Sequence, residues 1–256
     1  MKVCSFALLV MCVIATGTPY LQAQEIKELH VAAAADLQPV MPAFASAYEK
    51  KTGIKLKVSF ASSSVLTTQI LNGAPFDVFL AADYTFPEKV VAAGLAEEGA
   101  PVPYARGSLV LWQRNDSPLK PLNVELLTDP RVTRVAIADQ FHAPYGAAAY
   151  AAMRSMKTLE VVKPKLVVAE NIGQTAQFAV TGNAQLAFLS LTLADSAQLK
   201  AIGNYVLVPL VYPKIRQCAI VLKNSPHVTE AKAFLTWMTS SEVQNHMKDF
   251  GLSRIE

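Results

Sequence analysis

The chain has 256 residues, of which 52% are hydrophobic and 17% are charged, with 11 glycines and 15 prolines. This composition excludes a disordered or collagen-like chain and supports one large domain or two domains of roughly 100–150 residues each. Its 23 basic and 20 acidic side chains leave a net charge of +3, spread along the chain. We therefore expect neither nucleic acid nor a membrane surface as the main partner.

Residues 1–23 have the pattern of a secretory signal peptide. Lys2 precedes the apolar run Phe6–Ala15, and a polar sequence follows Ala23. The apolar run is shorter than the roughly 20 residues that a stable membrane span needs. We expect cleavage after Ala23, with an uncleaved membrane anchor as the alternative.

Short apolar runs alternate with helical patterns from Leu29 onward, which is typical of parallel βαβ units in an α/β fold. The first half predicts strands at 29–35, 54–60 and 76–83, with helices at 37–53, 65–71 and 86–93. Asp36 and the serines at 62–64 stand where helix N-caps are expected. Pro42 predicts a bent or late start of the first helix, because proline removes one backbone hydrogen bond.

A strand at 108–114 leads into a polar loop, after which the alternation of strands and helices restarts, and we place the crossover between two lobes here. The second series predicts strands at 132–138, 166–169, 185–189, 206–211 and 216–222, with helices at 145–156, 174–180, 228–238 and 242–250. The simplest topology assigns residues 24–108 to lobe 1 and 109–213 to lobe 2, while 214–256 return to lobe 1.

Common enzyme and metal-site motifs do not occur in the sequence. It contains no nucleophile elbow, phosphate-binding loop or dinucleotide fingerprint, and its four histidines lack partners at metal-ligand spacing. Cys218 is the one cysteine after the leader and is predicted to be a buried thiol without a disulfide. We expect a binding protein without a cofactor; a secreted α/β enzyme and a ligand-free adhesion or chaperone-like module are the alternatives.

Several predicted strand-to-helix turns consist of alanine, serine and glycine. They are 34–36, 62–64 and 81–83 in the first half, and 143–146 and 170–173 in the second. Such turns direct backbone N–H groups and the positive end of a helix dipole toward the edge of the sheet where ligands bind. The pattern predicts a cleft lined by uncharged donors and suited to a small anion.

Four motifs together resemble the periplasmic molybdate-binding proteins of ABC importers: Val31–Leu37, Ser59–Ser64, Gly73–Asp83 and Ala143–Gly146. The resemblance covers essentially the whole chain after the leader. It implies a two-lobed type II periplasmic-binding-protein fold with the ligand cleft between the lobes. It also implies a monomer that captures molybdate, and tungstate, in the periplasm and delivers it to an ABC permease in the inner membrane.

The resemblance implies that hydroxyls and backbone amides hold the oxyanion at six positions: Ala35, Asp36, Ser63, Ala82, Tyr145 and Ile172. Molybdenum is then present only as the bound molybdate, held through the same residues. Many relatives have a serine in the turn where this chain has Ala35 and Asp36. One branch has a tyrosine where this chain has Ser190.

The orientation of the Asp36 carboxyl group distinguishes between two classes of ligand. Molybdate and tungstate carry no proton at neutral pH and need a pocket of donors, whereas hydrogen phosphate carries a proton and accommodates one acceptor. A carboxylate about 4 Å from a dianion would repel it by several kcal/mol. We expect the Asp36 side chain to cap the helix while its amide faces the ligand; an inward-facing carboxyl would favour phosphate, the alternative substrate.

Overall fold

The structure, a computed structural model, describes residues 28–99 and 101–255; the predicted leader, residues 1–23, lies outside them. The described chain forms ten β-strands: β1 Glu28–Ala34, β2 Lys55–Ala61, β3 Val78–Ala81, β4 Val102–Gly107, β5 Leu109–Arg114, β6 Val135–Ala138, β7 Leu166–Ala169, β8 Leu186–Ser190, β9 Gly203–Leu207 and β10 Ile215–Val221.

The same residues form ten α-helices: α1 Met41–Thr52, α2 Ser63–Leu71, α3 Thr85–Ala92, α4 Pro144–Ser155, α5 Leu159–Val162, α6 Ile172–Val180, α7 Leu191–Ala194, α8 Ala197–Ile202, α9 Val228–Met238 and α10 Ser241–Gln244. Short 3-10 turns cover Ala35–Leu37, Val124–Thr128, Lys163–Lys165 and Met247–Phe250. Within this part of the chain, no helix combines the length and apolar character that a membrane crossing requires.

The strands form two five-stranded sheets, so the expected α/β fold class is confirmed. The first sheet has the order β2-β1-β3-β10-β4 and the second the order β7-β6-β8-β5-β9. Strands β1 to β3 are parallel, and so are β6 to β8, as the alternation of strands and helices predicts. In contrast, β5 and β10 are antiparallel to their neighbours. Each of these two strands enters its sheet directly from the other sheet, without the crossover helix that a parallel connection needs.

Local signals explain several element boundaries. Ser62 caps α2, because its side chain accepts a hydrogen bond from the amide of Val65 at 3.3 Å. Gly53 ends α1 in the left-handed conformation, with φ of 74°. The late start of α1 is also confirmed: the helix begins at Met41 and has Pro42 in its first turn.

The structure differs from the predicted secondary structure in several places. It adds strand β4 and the short helices α5, α7 and α8, which the sequence analysis does not predict. Strand β4 contains Pro103 and lies at the edge of its sheet, where proline is tolerated. Strand β9 ends at Leu207, before the predicted strand at 206–211 is complete, because Pro209 has no amide hydrogen to donate. The predicted helix at 242–250 is instead the single turn α10 followed by a 3-10 turn.

Candidate anion-binding site between the two sheets

The six predicted positions converge in the structure. Each follows a strand or begins a helix, and none is more than 5% exposed. Ala35 and Ala82, which follow strands of the first sheet, belong to the same buried cluster as Tyr145 and Ile172, which begin helices packed on the second. The chain therefore brings these turns together at the boundary between the two sheets.

Direct contacts close this boundary. The amide of Ser64 donates to the carbonyl of His142 at 3.2 Å. The hydroxyl of Thr192 donates to the carbonyl of Asp36 at 2.6 Å. A Cβ atom at Gly173 would lie 3.7 Å from the Cβ of Ala35. The elements of the two sheets thus touch at three separate places, and the described arrangement is a closed one.

Ser63 and Ala82 are bonded to each other. Ser63 is the first residue of α2, and its Oγ accepts a hydrogen bond from the amide of Ala82 at 3.1 Å. Because Oγ is an acceptor in this bond, the Ser63 hydroxyl proton is left to donate elsewhere. Ala82 therefore orients a hydroxyl donor in this arrangement.

Helix starts supply backbone donors from the second sheet. Tyr145 lies in the first turn of α4, and Ile172 is the first residue of α6, which Asn171 caps by accepting from the amide of Gln174 at 2.9 Å. Amides of the first helical turn have no partner within the helix, and the helix dipole favours a negative charge beside them. Gly146 lets α4 approach, since a Cβ there would lie 2.3 Å from the carbonyl oxygen of Ala138.

Asp36 does not cap a helix, so that prediction is wrong. The N-cap of its 3-10 turn is Ala34, and no side chain caps that turn. Instead, Asp36 Oδ2 accepts from Gln217 Nε2 at 2.5 Å, and the Tyr145 hydroxyl bonds to the same carboxyl group. Asp36 Oδ1 has no hydrogen-bond partner in the part of the chain that the structure describes. Because the Asp36 side chain bonds to residues distant in the sequence, it does not cap its own turn.

Burial determines the electrostatics of Asp36. Desolvation raises the pKa of its carboxyl from 3.8 to about 7, against the opposing effect of the hydrogen bonds from Gln217 and Tyr145. Burial also raises the pKa of Asp83 to about 6, although that carboxyl accepts a bond from the amide of Phe86 and lies near Lys89. Near neutral pH, Asp36 is therefore divided between its protonated and ionised forms.

Sequence reasoning missed three residues that surround Asp36. Gln217 is a fully buried amide in the largely apolar strand β10, and a polar residue next to the apolar run Cys218–Val221 is the signal that could have identified it. Thr192 bonds to Ser190, whose side chain caps α7. Gly107 provides space, since a Cβ there would lie 2.0 Å from the Tyr145 hydroxyl oxygen. No local pattern around Thr192 or Gly107 indicates these roles.

The model of a family described as bacterial extracellular solute-binding protein matches residues 29–253. The chain belongs to this family. This assignment supports the expectation of a solute-binding protein rather than an enzyme.

Two relatives named molybdate-binding protein ModA are similar over most of their length. The protein from Rhodobacter capsulatus is 36% identical over 88% of this chain and 87% of the relative. The protein from Azotobacter vinelandii is 35% identical over 93% of this chain and 95% of the relative.

A solved structure supports the same family assignment. The periplasmic molybdate-binding protein of Azotobacter vinelandii superposes with a TM-score of 0.83 at 29% sequence identity, covering 89% of this chain and 100% of that one. The two-lobed periplasmic-binding-protein fold implied by the sequence motifs is thereby confirmed.

Proposed function

We propose that this solute-binding protein captures molybdate and tungstate in the periplasm and delivers them to an ABC permease of the inner membrane. The proposal rests on one observation: an oriented hydroxyl and the N-termini of several helices lie close together at one buried boundary between the two sheets. A site built from hydrogen-bond donors fits a tetrahedral dianion that carries no proton. The names of the two bacterial relatives favour molybdate among such anions.

In this proposal each element has a separate part. The Ser63 hydroxyl, held by the Ala82 amide, donates to one oxygen of the anion. First-turn amides at Tyr145 and Ile172 donate from the second sheet, and the turn of Ala35 and Asp36 completes the site from the first. Capture requires no covalent chemistry and no cofactor, because closing the two lobes around the anion is sufficient to retain it.

Export and delivery complete the proposed function. Residues 1–23 would direct the chain out of the cytoplasm and be removed after Ala23. The mature protein would act as a monomer, and the permease would distinguish its closed, loaded form from the open one.

Thermal unfolding with separate anions tests this function. We expect molybdate and tungstate to raise the unfolding midpoint, since a ligand at 100 times its dissociation constant adds about 2.7 kcal/mol to the free energy of unfolding. Sulfate, a smaller tetrahedral dianion, serves as the size control and should give a smaller shift. A shift with phosphate alone would contradict the proposal and support a phosphate receptor, and no shift with any anion would contradict oxyanion capture altogether.

A further inference from the structure

The Asp36 carboxyl is difficult to reconcile with an anion site if it is ionised. The side chain is 0% exposed, and its Oδ1 atom has no hydrogen-bond partner among the residues that the structure describes. A buried carboxylate oxygen without a partner is unfavourable by itself, and a dianion beside it adds charge repulsion at low dielectric. One proton on Oδ1 removes the charge repulsion, and the bound anion then accepts the hydrogen bond that this buried O–H would otherwise lack.

The groups packed against Asp36 do not neutralise its charge. From β10, Gln217 donates an amide hydrogen to Oδ2; from α4, the Tyr145 hydroxyl bonds to the carboxyl; from α7, Thr192 donates to the backbone carbonyl of Asp36. From β4, Tyr104 lies near enough for the Asp36 charge to raise the pKa of its hydroxyl. None of these four side chains carries a positive charge. Burial therefore dominates, and the pKa of Asp36 lies at about 7.

We infer that Asp36 holds the oxyanion as a carboxylic acid, donating a hydrogen bond from Oδ1, so that binding of one dianion is coupled to one proton on this side chain. The inference rests on the proposed function and extends it. Above neutral pH the proton comes from solvent when the anion binds; at lower pH it is already in place. No bond other than the O–H bond of Asp36 forms or breaks.

The proton also contributes to selectivity. With Asp36 protonated, each polar group that faces the anion is a donor, which suits molybdate and tungstate. Hydrogen phosphate brings its own proton and finds no acceptor in such a site. A buried donor left without an acceptor is penalised, so the protonated carboxyl disfavours hydrogen phosphate. Asp36 thus acts as a specificity-determining residue, although its carboxylate form would favour phosphate.

Calorimetric titration with molybdate tests the coupling. At pH 8, in two buffers of different ionisation enthalpy, we expect uptake of close to one proton per molybdate bound, and less uptake at pH 6. The dissociation constant should rise by up to about tenfold per pH unit above neutrality. Asp36→Asn retains a donor but has no titrating proton, so it should bind molybdate without proton uptake and with little dependence on pH.

Asp83→Asn is the matched control. Asp83 is the other carboxyl among the described residues whose pKa burial raises. It accepts from the amide of Phe86 and is not one of the proposed anion-binding positions, so this variant should take up protons as the unsubstituted protein does. Infrared difference spectra of the unsubstituted protein provide an independent measurement: molybdate added at pH 8 should convert a carboxylate band into that of a protonated carboxyl.

The outcomes separate the inference from the proposed function. Tight molybdate binding without proton uptake or infrared change would overturn the inference and leave the function standing. Proton uptake that persists in Asp36→Asn would overturn it as well, because another group would then carry the proton. Failure of the unsubstituted protein to bind molybdate from pH 6 to pH 8 would refute the proposed function, and the inference with it.

Discussion

Two turns of this protein have the same three residues, but their aspartates differ in burial and in hydrogen-bond partners. Ala34–Asp36 follows β1 and Ala81–Asp83 follows β3, and these strands are parallel neighbours in one sheet. In the second turn, Asp83 is partly exposed and accepts from the amide of Phe86, in the first turn of α3, at 3.1 Å. In the first turn, Asp36 is fully buried and bonds to Gln217.

The difference between the two aspartates follows from what surrounds each turn. The Asp83 turn borders an open cavity of about 420 Å³ that is also lined by Arg216 and Lys214, so its carboxyl keeps partial access to water. The Asp36 turn is covered by α6 and α7 of the other sheet, and Thr192 of α7 bonds to its backbone. In the same local sequence, the aspartate thus bonds to the first turn of the following helix where the turn is open, and is a fully buried acid where another lobe covers the turn.

The largest expected effect is on the pH dependence of stability. The pKa of Asp36 is about 7 in the folded protein against 3.8 as the reference, so the folded chain retains a proton that the unfolded chain loses above about pH 4. Stability should therefore fall as pH rises toward 7. The penalty reaches at most about 4 kcal/mol by pH 8. Asp36→Asn should raise the unfolding midpoint at pH 8 and change it little at pH 4.

Asp83→Asn is the comparison for this measurement. The pKa of Asp83 is raised less, and an asparagine oxygen can still accept from the amide of Phe86, so the stability profile of this variant should remain closer to that of the unsubstituted chain. Parallel pH profiles for the unsubstituted protein and Asp36→Asn, measured by thermal unfolding from pH 4 to pH 8, would show that folding does not raise the pKa of Asp36.

A methyl group at Gly107 should disturb the Asp36 turn selectively. The added Cβ would lie 2.0 Å from the Tyr145 hydroxyl oxygen, so that the hydroxyl must shift from its place beside Gln217. Overpacking of this kind costs about 1–3 kcal/mol. We expect Gly107→Ala to weaken molybdate binding, measured by calorimetry, and Tyr145→Phe to recover part of the loss in the double variant. Strictly additive losses would indicate that the two residues do not interact.

Removal of the Ser63 hydroxyl tests the proposed anion donor next to the Ala81–Asp83 turn, since its Oγ is held by the amide of Ala82. Ser63→Ala should weaken molybdate binding by about 1–3 kcal/mol, because a charged acceptor loses a donor. Ser64→Ala is the matched control, since the contact of Ser64 with His142 uses its backbone amide. An unchanged dissociation constant in Ser63→Ala would remove this hydroxyl from the site.

Thr192→Val should have the smallest effect. The hydroxyl donates to the backbone carbonyl of Asp36 and bonds to Ser190, and loss of such bonds costs about 1 kcal/mol. Because the bond to Asp36 crosses between the two sheets, we expect weaker molybdate binding with a nearly unchanged unfolding midpoint. Thr192→Ser retains the hydroxyl and should bind as the unsubstituted protein does. Equal loss in both variants would point to packing of the methyl group instead.

Local sequence was sufficient for much of the fold and for the placement of the candidate site. The serines after β2, the glycine after α1 and the alternation of strands and helices act over a few residues, and the structure follows them. The turns at Ser63, Tyr145 and Ile172 could be identified because a strand end followed by a helix start is a local pattern. The assignment of these residues to anion binding depended on family resemblance as well.

The sequence by itself thus determined most of the strands and longer helices, the fold class and which turns could meet. Only the tertiary structure decided what Asp36 does. Gln217 lies 181 residues from Asp36 along the chain, and Thr192 lies 156 residues away. Whether a carboxyl meets water or a buried amide depends on how distant segments pack. The pKa of Asp36 reflects that packing, since burial raises it and the hydrogen bonds from Gln217 and Tyr145 only partly oppose the rise.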